Sequence, residues 1–277
     1  MLRETAFTKI NLALHIRGRR DDGYHDLDTI FAFLDQGDSL AAELSDELSL
    51  EIDGEFAAGL DNGRHNLVIR AAEMVREKYS VTAGAKLMLH KNLPIASGVG
   101  GGSADAAAAA RLVNRLWNIN AAPQEMEALL APLGADIPAC VRSVTVRGAG
   151  TGTQLLPISG PKVAAKSVLL VNPRKPVPTG PIFAAWEGQD GGAVKGGSAD
   201  EMMLSGRNDL QAAAIKYCPE IADILNELQK FDPVVARMSG SGATCFAVFP
   251  DGVTRDLAMR ALVRTHSHWW FMSGTIR

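Results

Sequence analysis

The chain has 277 residues, 47% of them hydrophobic and 21% charged, a composition that excludes wholesale disorder and allows two modest domains around substantial cores. A formal net charge of −3 supplies no broad attraction for nucleic acid or an anionic membrane surface, so the expected partner is a small molecule, with no nucleic acid and no membrane. Cys140, Cys218 and Cys245 are odd in number and far apart, no apolar run of about 18 residues exists, and Arg3, Glu4 and Lys9 interrupt the N-terminus, which together favour a reducing, cytoplasmic setting over disulfides, zinc, a membrane span or a signal peptide.

TAFTKINLALHI at 5–16 alternates imperfectly and predicts a strand, as do LSLEI at 48–52 and KLMLH at 86–90. Between them, Asn66 is an N-cap candidate for an amphipathic helix carrying Val68, Ala71, Ala72 and Val75 on its apolar face. Further helices are predicted from Ser103 to Trp117, over PQEMEALLAPL, and from about Ile137 after LGAD. RGAGTGTQLLP reads as a turn between strands around Gly148 to Gly152, and KSVLLVNP at 166–173 as a strand opening a second domain, with the boundary near residue 155. EGQDGGAVKGGSAD at 187–200 is a loop. NDLQAAAIKYCPEIADILNELQKF is helical in two pieces broken at Pro219, and a glycine turn then leads into the strand CFAVF. In THSHWWFMSGTIR, His266 and His268 beside two tryptophans read as packing and surface rather than metal ligands.

The sequence LPIASGVGGGSADAAAAARL carries Gly98, Gly100, Gly101 and Gly102 just ahead of an alanine-dense helix. Helix-start N–H groups have no intrahelical partner and carry the positive dipole end, so a glycine-lined approach suits a phosphate. The spelling is not a Walker A loop, since no lysine separates Gly102 from Ser103. Nor is it a dinucleotide fingerprint, which counted from Gly98 needs glycine at 103. A flexible turn remains the plain alternative, although four glycines cost roughly 0.5 to 1 kcal/mol each in regular structure.

That loop resembles the phosphate loop of the GHMP kinase superfamily in its triple-glycine form. Three other blocks agree in order: TKINLALHIRGRRDDGYHDLDTIF from Thr8, LGADIPAC from Leu133 and RMSGSGATCFAVF from Arg237. The resemblance runs from about Lys9 to Phe249 and points to the branch acting on a cytidine diphosphate-linked methylerythritol in the non-mevalonate isoprenoid route. It implies an α+β, two-lobed fold with the active site in the cleft between lobes, residues 1–155 forming an ATP-binding lobe and 156–277 a substrate lobe. It further implies ATP with Mg²⁺ as cofactors, and the chain is expected to act as a monomer or weak homodimer. Two details depart from the usual pattern: Phe7-Thr8 stand before Lys9 where the family usually has Pro-Ala, and Ala96-Ser97 precede Gly98 where glycines are frequent.

Phosphoryl transfer asks mainly for positioning and charge stabilisation. Asp136 precedes Ile137-Pro138 at a predicted helix start, where it either accepts the substrate hydroxyl proton or caps the helix. Lys9, inside an apolar strand, needs an anionic neighbour such as Asp136 or the nucleotide phosphates unless it is an edge lysine reaching solvent. The resemblance pairs Lys9 with the catalytic aspartate, and places Asn66, Lys91, Pro94, Ile95, Ala96, Ser97, Gly98, Val99, Gly100, Gly101, Gly102, Ser103 and Ala104 around the nucleotide. It gives Tyr24, His25 and Phe183 to the cytosine, and Asn11, Thr179, Gly240 and Gly242 to the substrate. Each has a plain counterpart: Tyr24 and His25 as turn residues, Phe183 as core, Asn11 as a strand-edge polar group, Asn66 as a cap, Lys91 as a surface lysine, and Gly240 to Gly242 as a tight turn. A sister kinase for homoserine or mevalonate would keep the loop and Asp136 but lack the Gly-Tyr-His block and Phe183. A non-catalytic relative would be expected to lose Lys9 or Asp136.

Overall fold

A run of mostly apolar side chains from Thr8 to Ile16 leaves no face for water, and in a computed structural model describing residues 1–158 and 164–277 all nine of these residues are buried in strand β1, Leu2–Arg19. Two-sided burial explains why the alternation of this strand is imperfect. The same physics hides β2, His25–Ser45, from a periodicity search: its residues 28–34 are continuously buried, so the segment shows neither a two-residue nor a 3.6-residue period. β1 and β2 pair with each other.

The chain forms two compact units, each assembled from separated stretches. One comprises Met1–Thr8, Gly37–Ile95 and Gly100–Ser143, the other Lys9–Gln36, Ala96–Val99 and Val144–Arg277. No single cut, near residue 155 or elsewhere, reproduces this division.

In the first unit, residues 39–45 of β2 pair antiparallel with β4, Gly84–His90, and β3, Ser49–Asp53, runs parallel to β4. Helix α1, Leu67–Lys78, starts as predicted at Asn66. It packs against α2, Gly101–Leu116, which also contacts α4, Ile137–Arg142. Ala104 and Ala106 to Ala110 of α2 are all buried, and their small side chains let neighbouring elements approach on several sides. The third predicted helix ends early, as α3, Pro123–Leu130, followed by a 3₁₀ turn at Ala131–Leu133.

In the second unit, residues 27–31 of β2 pair antiparallel with β5, Val146–Gly150, and β5 pairs with β6, Gln154–Leu156. The predicted turn therefore starts later than Gly148, which lies in a strand opposite Thr29. A separate four-stranded sheet has the order β10-β7-β9-β8, with β7 at Ser167–Asn172, β8 at Val235–Met238, β9 at Cys245–Phe249 and β10 at Trp270–Thr275. β7 and β9 are buried throughout. The same unit holds α5, Thr179–Ala184, α6, Ala199–Ser205, α7, Gln211–Tyr217, α8, Glu220–Gln229, and α9, Gly252–Thr265, of which α8 and α9 pack on the sheet. The break between α7 and α8 falls at Cys218 and Pro219, as expected. β10, α5, α6 and α9 carry signals too short or too amphipathically weak to be read in advance, although Asp251 caps α9 by accepting from the Thr254 N–H at 2.8 Å. His266 stacks on Trp269 with ring centroids 4.0 Å apart. All three cysteines are free and buried. Among the described residues, no helix is long and apolar enough to cross a membrane.

Gly148 is required by its neighbours rather than by its backbone: a Cβ there would lie 2.5 Å from Phe31 Cε2 and 3.0 Å from Thr29 Cγ2. Gly148→Ala should therefore lower stability by about 1–3 kcal/mol in urea denaturation, while Gly18→Ala should change it by less than about 0.5 kcal/mol. Gly18 is the control because nothing lies within 4 Å of a Cβ built on it.

Candidate active site

The catalytic candidate Lys9 and the substrate candidate Asn11 of β1 are buried, each 3% exposed. That rules out both an edge lysine reaching solvent and a strand-edge asparagine. Residues 9 and 11 share a face of the strand. Lys9 Nζ donates to Asn11 Oδ1 at 2.8 Å and sits 5.5 Å from the centroid of the Phe31 ring.

The glycine-rich stretch divides between the units. Ala96–Val99 belongs to the second, where it is pinned by backbone groups: Ala96 O accepts from Val177 N, Ser97 O from Thr244 N, and Val99 O from Lys9 N. Gly98 O accepts from the Ser239 hydroxyl at 2.9 Å. A Cβ on Gly98, at φ +79°, would stand 2.3 Å from Ser239 O, and one on Gly240, at φ +55°, 2.8 Å from Gly98 O. Glycine at 98 and 240 thus answers to two main chains in direct apposition, and Gly98 needs no anion to account for it. Gly242 is likewise enclosed, its Cβ position 2.8 Å from Met238 Sδ. Asn208 braces the turn, donating to both Met238 O and Gly240 O at 2.8 Å.

The remaining glycines open α2 in the first unit. Gly100, at φ +65°, occupies the N-cap position and has no side chain with which to cap the helix. Gly102 is exposed, and a Cβ on it would meet only Leu67 Cδ1, at 3.6 Å. Ser103 is half-buried and Ala104 buried. The amide N–H groups of this first turn, beside open space and at the positive dipole end, suit an anion. On the approach to the loop, Pro94 is buried and Ile95 exposed.

Lys91 lies under that turn and is not a surface lysine: it is 4% exposed, its ammonium held by Asp38 Oδ2 and, at 2.7 Å, by Asp105 Oδ2. Asp38 Oδ1 accepts from the backbone N–H groups of Asn92 at 2.6 Å and Leu93 at 2.9 Å. Among the described residues, the buried Asp105 Oδ1 has no hydrogen-bond partner. One ammonium between two carboxyl groups is neutral only when one of them keeps its proton, and Asp105 is the poorer in donors. Burial pushes its carboxyl well above the usual range, against the opposing pull of Lys91, with Asp38 adding to the rise. Burial opposes the charge on Lys91, but Asp105 and Asp38 outweigh it and raise the ammonium. Both carboxylates escaped the sequence reading. The lone Asp105 in an alanine run was the available signal.

Asn66 caps α1, its Oδ1 accepting from Val68 N at 2.9 Å while Nδ2 donates to Asp61 O at 2.6 Å. Asp136 stands at the N-cap of α4, yet its side chain makes no capping bond. The capping alternative for this carboxylate is thereby removed.

Around the other candidates of the second unit, Tyr24 is 63% exposed in the turn after β1, and His25 is buried. The His25 ring lies 5.3 Å from Phe183 and 5.7 Å, edge-on, from Trp186. Arg19 Nε donates to His25 Nε2 at 3.4 Å. Burial and then Arg19 lower the His25 pKa, so the ring is neutral at pH 7 with its proton on Nδ1. Trp186, absent from the sequence reading, borders an open cavity with Arg17, Arg19 and Glu187. Thr179, exposed at the start of α5, shares a hydrogen bond of 3.1 Å with the Ser241 hydroxyl.

A family model described as GHMP kinases N terminal domain matches residues 66–143, and GHMP kinases C terminal matches residues 196–268. The chain is 50% identical to a 4-diphosphocytidyl-2-C-methyl-D-erythritol kinase of Sphingopyxis alaskensis, covering 100% of this chain and 99% of the relative. It is 47% identical to the protein of the same name from Erythrobacter litoralis, over 100% of each. A solved structure of 4-(cytidine 5'-diphospho)-2C-methyl-D-erythritol kinase superposes with a TM-score of 0.84 at 27% identity, covering 99% of both chains.

Two outcomes test the cluster beneath α2. Lys91→Met strands two buried carboxyl groups and should cost about 3–5 kcal/mol in denaturant unfolding. Because the folded state holds the Asp105 proton more tightly than the unfolded chain, this group makes stability fall as pH rises from the ordinary carboxyl range toward its raised value. Asp105→Asn removes that slope, so its stability relative to the parent should improve from pH 5 to pH 8. A relative decline would contradict the assignment.

Proposed function

The chain belongs to the GHMP kinase family, and from that premise we infer that it transfers the γ-phosphoryl group of ATP to a hydroxyl of 4-diphosphocytidyl-2-C-methyl-D-erythritol on the non-mevalonate route to isoprenoid precursors. The observation that carries the nucleotide half is the uncapped start of α2, with Gly102 exposed and only Leu67 near its Cβ position. There the amides from Gly100 to Ser103 receive the phosphates, the Ala104 N–H closing the turn on Gly100 O at 2.8 Å, with residues 94–99 leading the chain into place. The Lys91 ammonium acts as a buttress under this turn rather than as a nucleoside ligand, its donors being directed at Asp38 and Asp105. Asn66 spends its oxygen on capping α1 and meets the nucleoside only through its amide N–H. Mg²⁺ would be held by the phosphates, water and the half-buried Ser103 hydroxyl, a donor set adequate for an ion that retains several waters. Its chemistry, when bound, is to neutralise phosphate charge.

Asp136, whose side chain makes no capping bond to α4, orients the substrate hydroxyl and takes its proton. Lys9, held by Asn11, supplies a fixed positive charge for the transferring phosphoryl group. Tyr24 and Phe183 offer ring faces to cytosine, and the neutral His25 offers an Nδ1–H to its edge. Thr179, Gly240 and Gly242 complete the substrate side, with Asn11 beside Lys9. Free, buried cysteines support work in a reducing cytoplasm, where the proposed form of the chain is a monomer or weak homodimer.

An ATP-dependent assay on the cytidyl substrate tests this assignment. Asp136→Asn should lower kcat by about 10²- to 10⁴-fold with little change in KM, and undiminished turnover would remove Asp136 from the reaction. Cytidine compounds should raise the melting temperature where homoserine and mevalonate leave it unchanged. Tyr24→Ala should raise KM for the cytidyl substrate while leaving KM for ATP in place, and a shift confined to ATP would contradict its placement.

A further inference from the structure

A lysine ammonium ends a flexible stem, and it becomes a fixed charge only when an acceptor of known orientation holds it. One such acceptor here is the Asn11 carboxamide. Its oxygen and NH₂ ends have nearly the same shape, so the group on its far side decides which end faces Lys9. That group is the Thr29 hydroxyl, 2.8 Å from Asn11 Nδ2.

Thr29 has a single hydroxyl proton, and the Ala13 carbonyl, an acceptor only, lies 2.6 Å away. Once the proton goes to Ala13, Thr29 presents nothing but lone pairs to Asn11. The NH₂ end must point at Thr29, and the oxygen end at Lys9. The reverse orientation would set amide N–H groups against an ammonium in a site where Thr29 is 0% exposed. The main chain of Asn11 is held independently: its N–H donates to the Ser239 hydroxyl at 3.1 Å, and Ser239 passes its own proton to Gly98 O. Only the side-chain amide is left to turn, and Thr29 stops it.

We propose that Thr29 is a positioning residue for phosphoryl transfer, its hydroxyl fixing the Asn11 amide so that Oδ1 holds the Lys9 ammonium in place. The role in transfer rests on the function assigned to Lys9 above, whereas the amide orientation does not.

Thr29→Val keeps the shape and removes the hydroxyl, and Thr29→Ser restores it without the methyl group. With folding of each verified by circular dichroism, Thr29→Val should lower kcat by about 10- to 100-fold while KM for ATP and for the cytidyl substrate moves less than about threefold. Thr29→Ser should return kcat to within about threefold of the parent. In ¹⁵N–¹H spectra, the Asn11 side-chain amide pair, identified by its loss in Asn11→Asp, should exchange slowly with solvent in the parent and Thr29→Ser and faster in Thr29→Val. A folded Thr29→Val with parental kcat, a Thr29→Ser as impaired as Thr29→Val, or unchanged amide exchange would overturn the proposal. The exchange measurement needs no turnover, so a parent protein inactive on the cytidyl substrate would sink the proposed function, while the amide orientation is still decided by exchange.

Discussion

The amide N–H groups of a helix's first turn have no partner within the helix, and at α2 the N-cap residue supplies none from a side chain either. Gly100 has no side chain to fold back, and the residues after it are two glycines and Ser103. Leaving such donors open costs stability unless water or an anion satisfies them, so the start of α2 is chemically suited to an anion. What keeps the turn in position lies below it. Asp38, Lys91 and Asp105 fix β2, the chain leaving β4, and α2 to one another through charge-assisted hydrogen bonds in a buried setting, where removing any partner is expensive.

The second unit solves a related problem with neutral groups. Thr29 and Ser239, both 0% exposed, each accept one hydrogen bond and donate one. A hydroxyl used this way converts a fixed backbone carbonyl into a fixed acceptor elsewhere, and so carries the rigidity of a strand or turn out to a side chain. By this means the Ala13 carbonyl of β1 sets the orientation of Asn11, and the Gly98 carbonyl sets the hydroxyl that receives the Asn11 N–H. Buried polar groups in such chains are satisfied only as a set, which favours one arrangement of the core over its alternatives.

Much of this was legible in advance where the signal is local. Asn66 before an amphipathic run, Pro219 between two helices, and glycines against an alanine run each act through neighbours in sequence, and the structure forms α1, the α7–α8 break and α2 there. β2 was invisible because burial on both faces erases the period that marks a strand. Lys91 was misread because a lysine's burial depends on counter-charges far away in sequence, here Asp38, 53 positions earlier, and Asp105, 14 positions later. Asp136 shows the converse: its position at a helix start favoured a cap by local rules, and the folded chain leaves the carboxylate uncommitted to that task.

By itself, the sequence determined the family, the glycine-rich spelling ahead of α2 that suits an anion, and the identity of the polar groups available for chemistry, because composition, helix-start signals and motif spelling are properties of adjacent residues. Only the tertiary structure decided which glycines serve backbone apposition and which face open space, that Lys91 is buried between two carboxyl groups, and which end of Asn11 meets Lys9. Those outcomes depend on where donors, acceptors and carbonyls from distant strands come to rest, and a hydrogen bond's direction is fixed by proton counts around the whole group rather than by the residue that makes it.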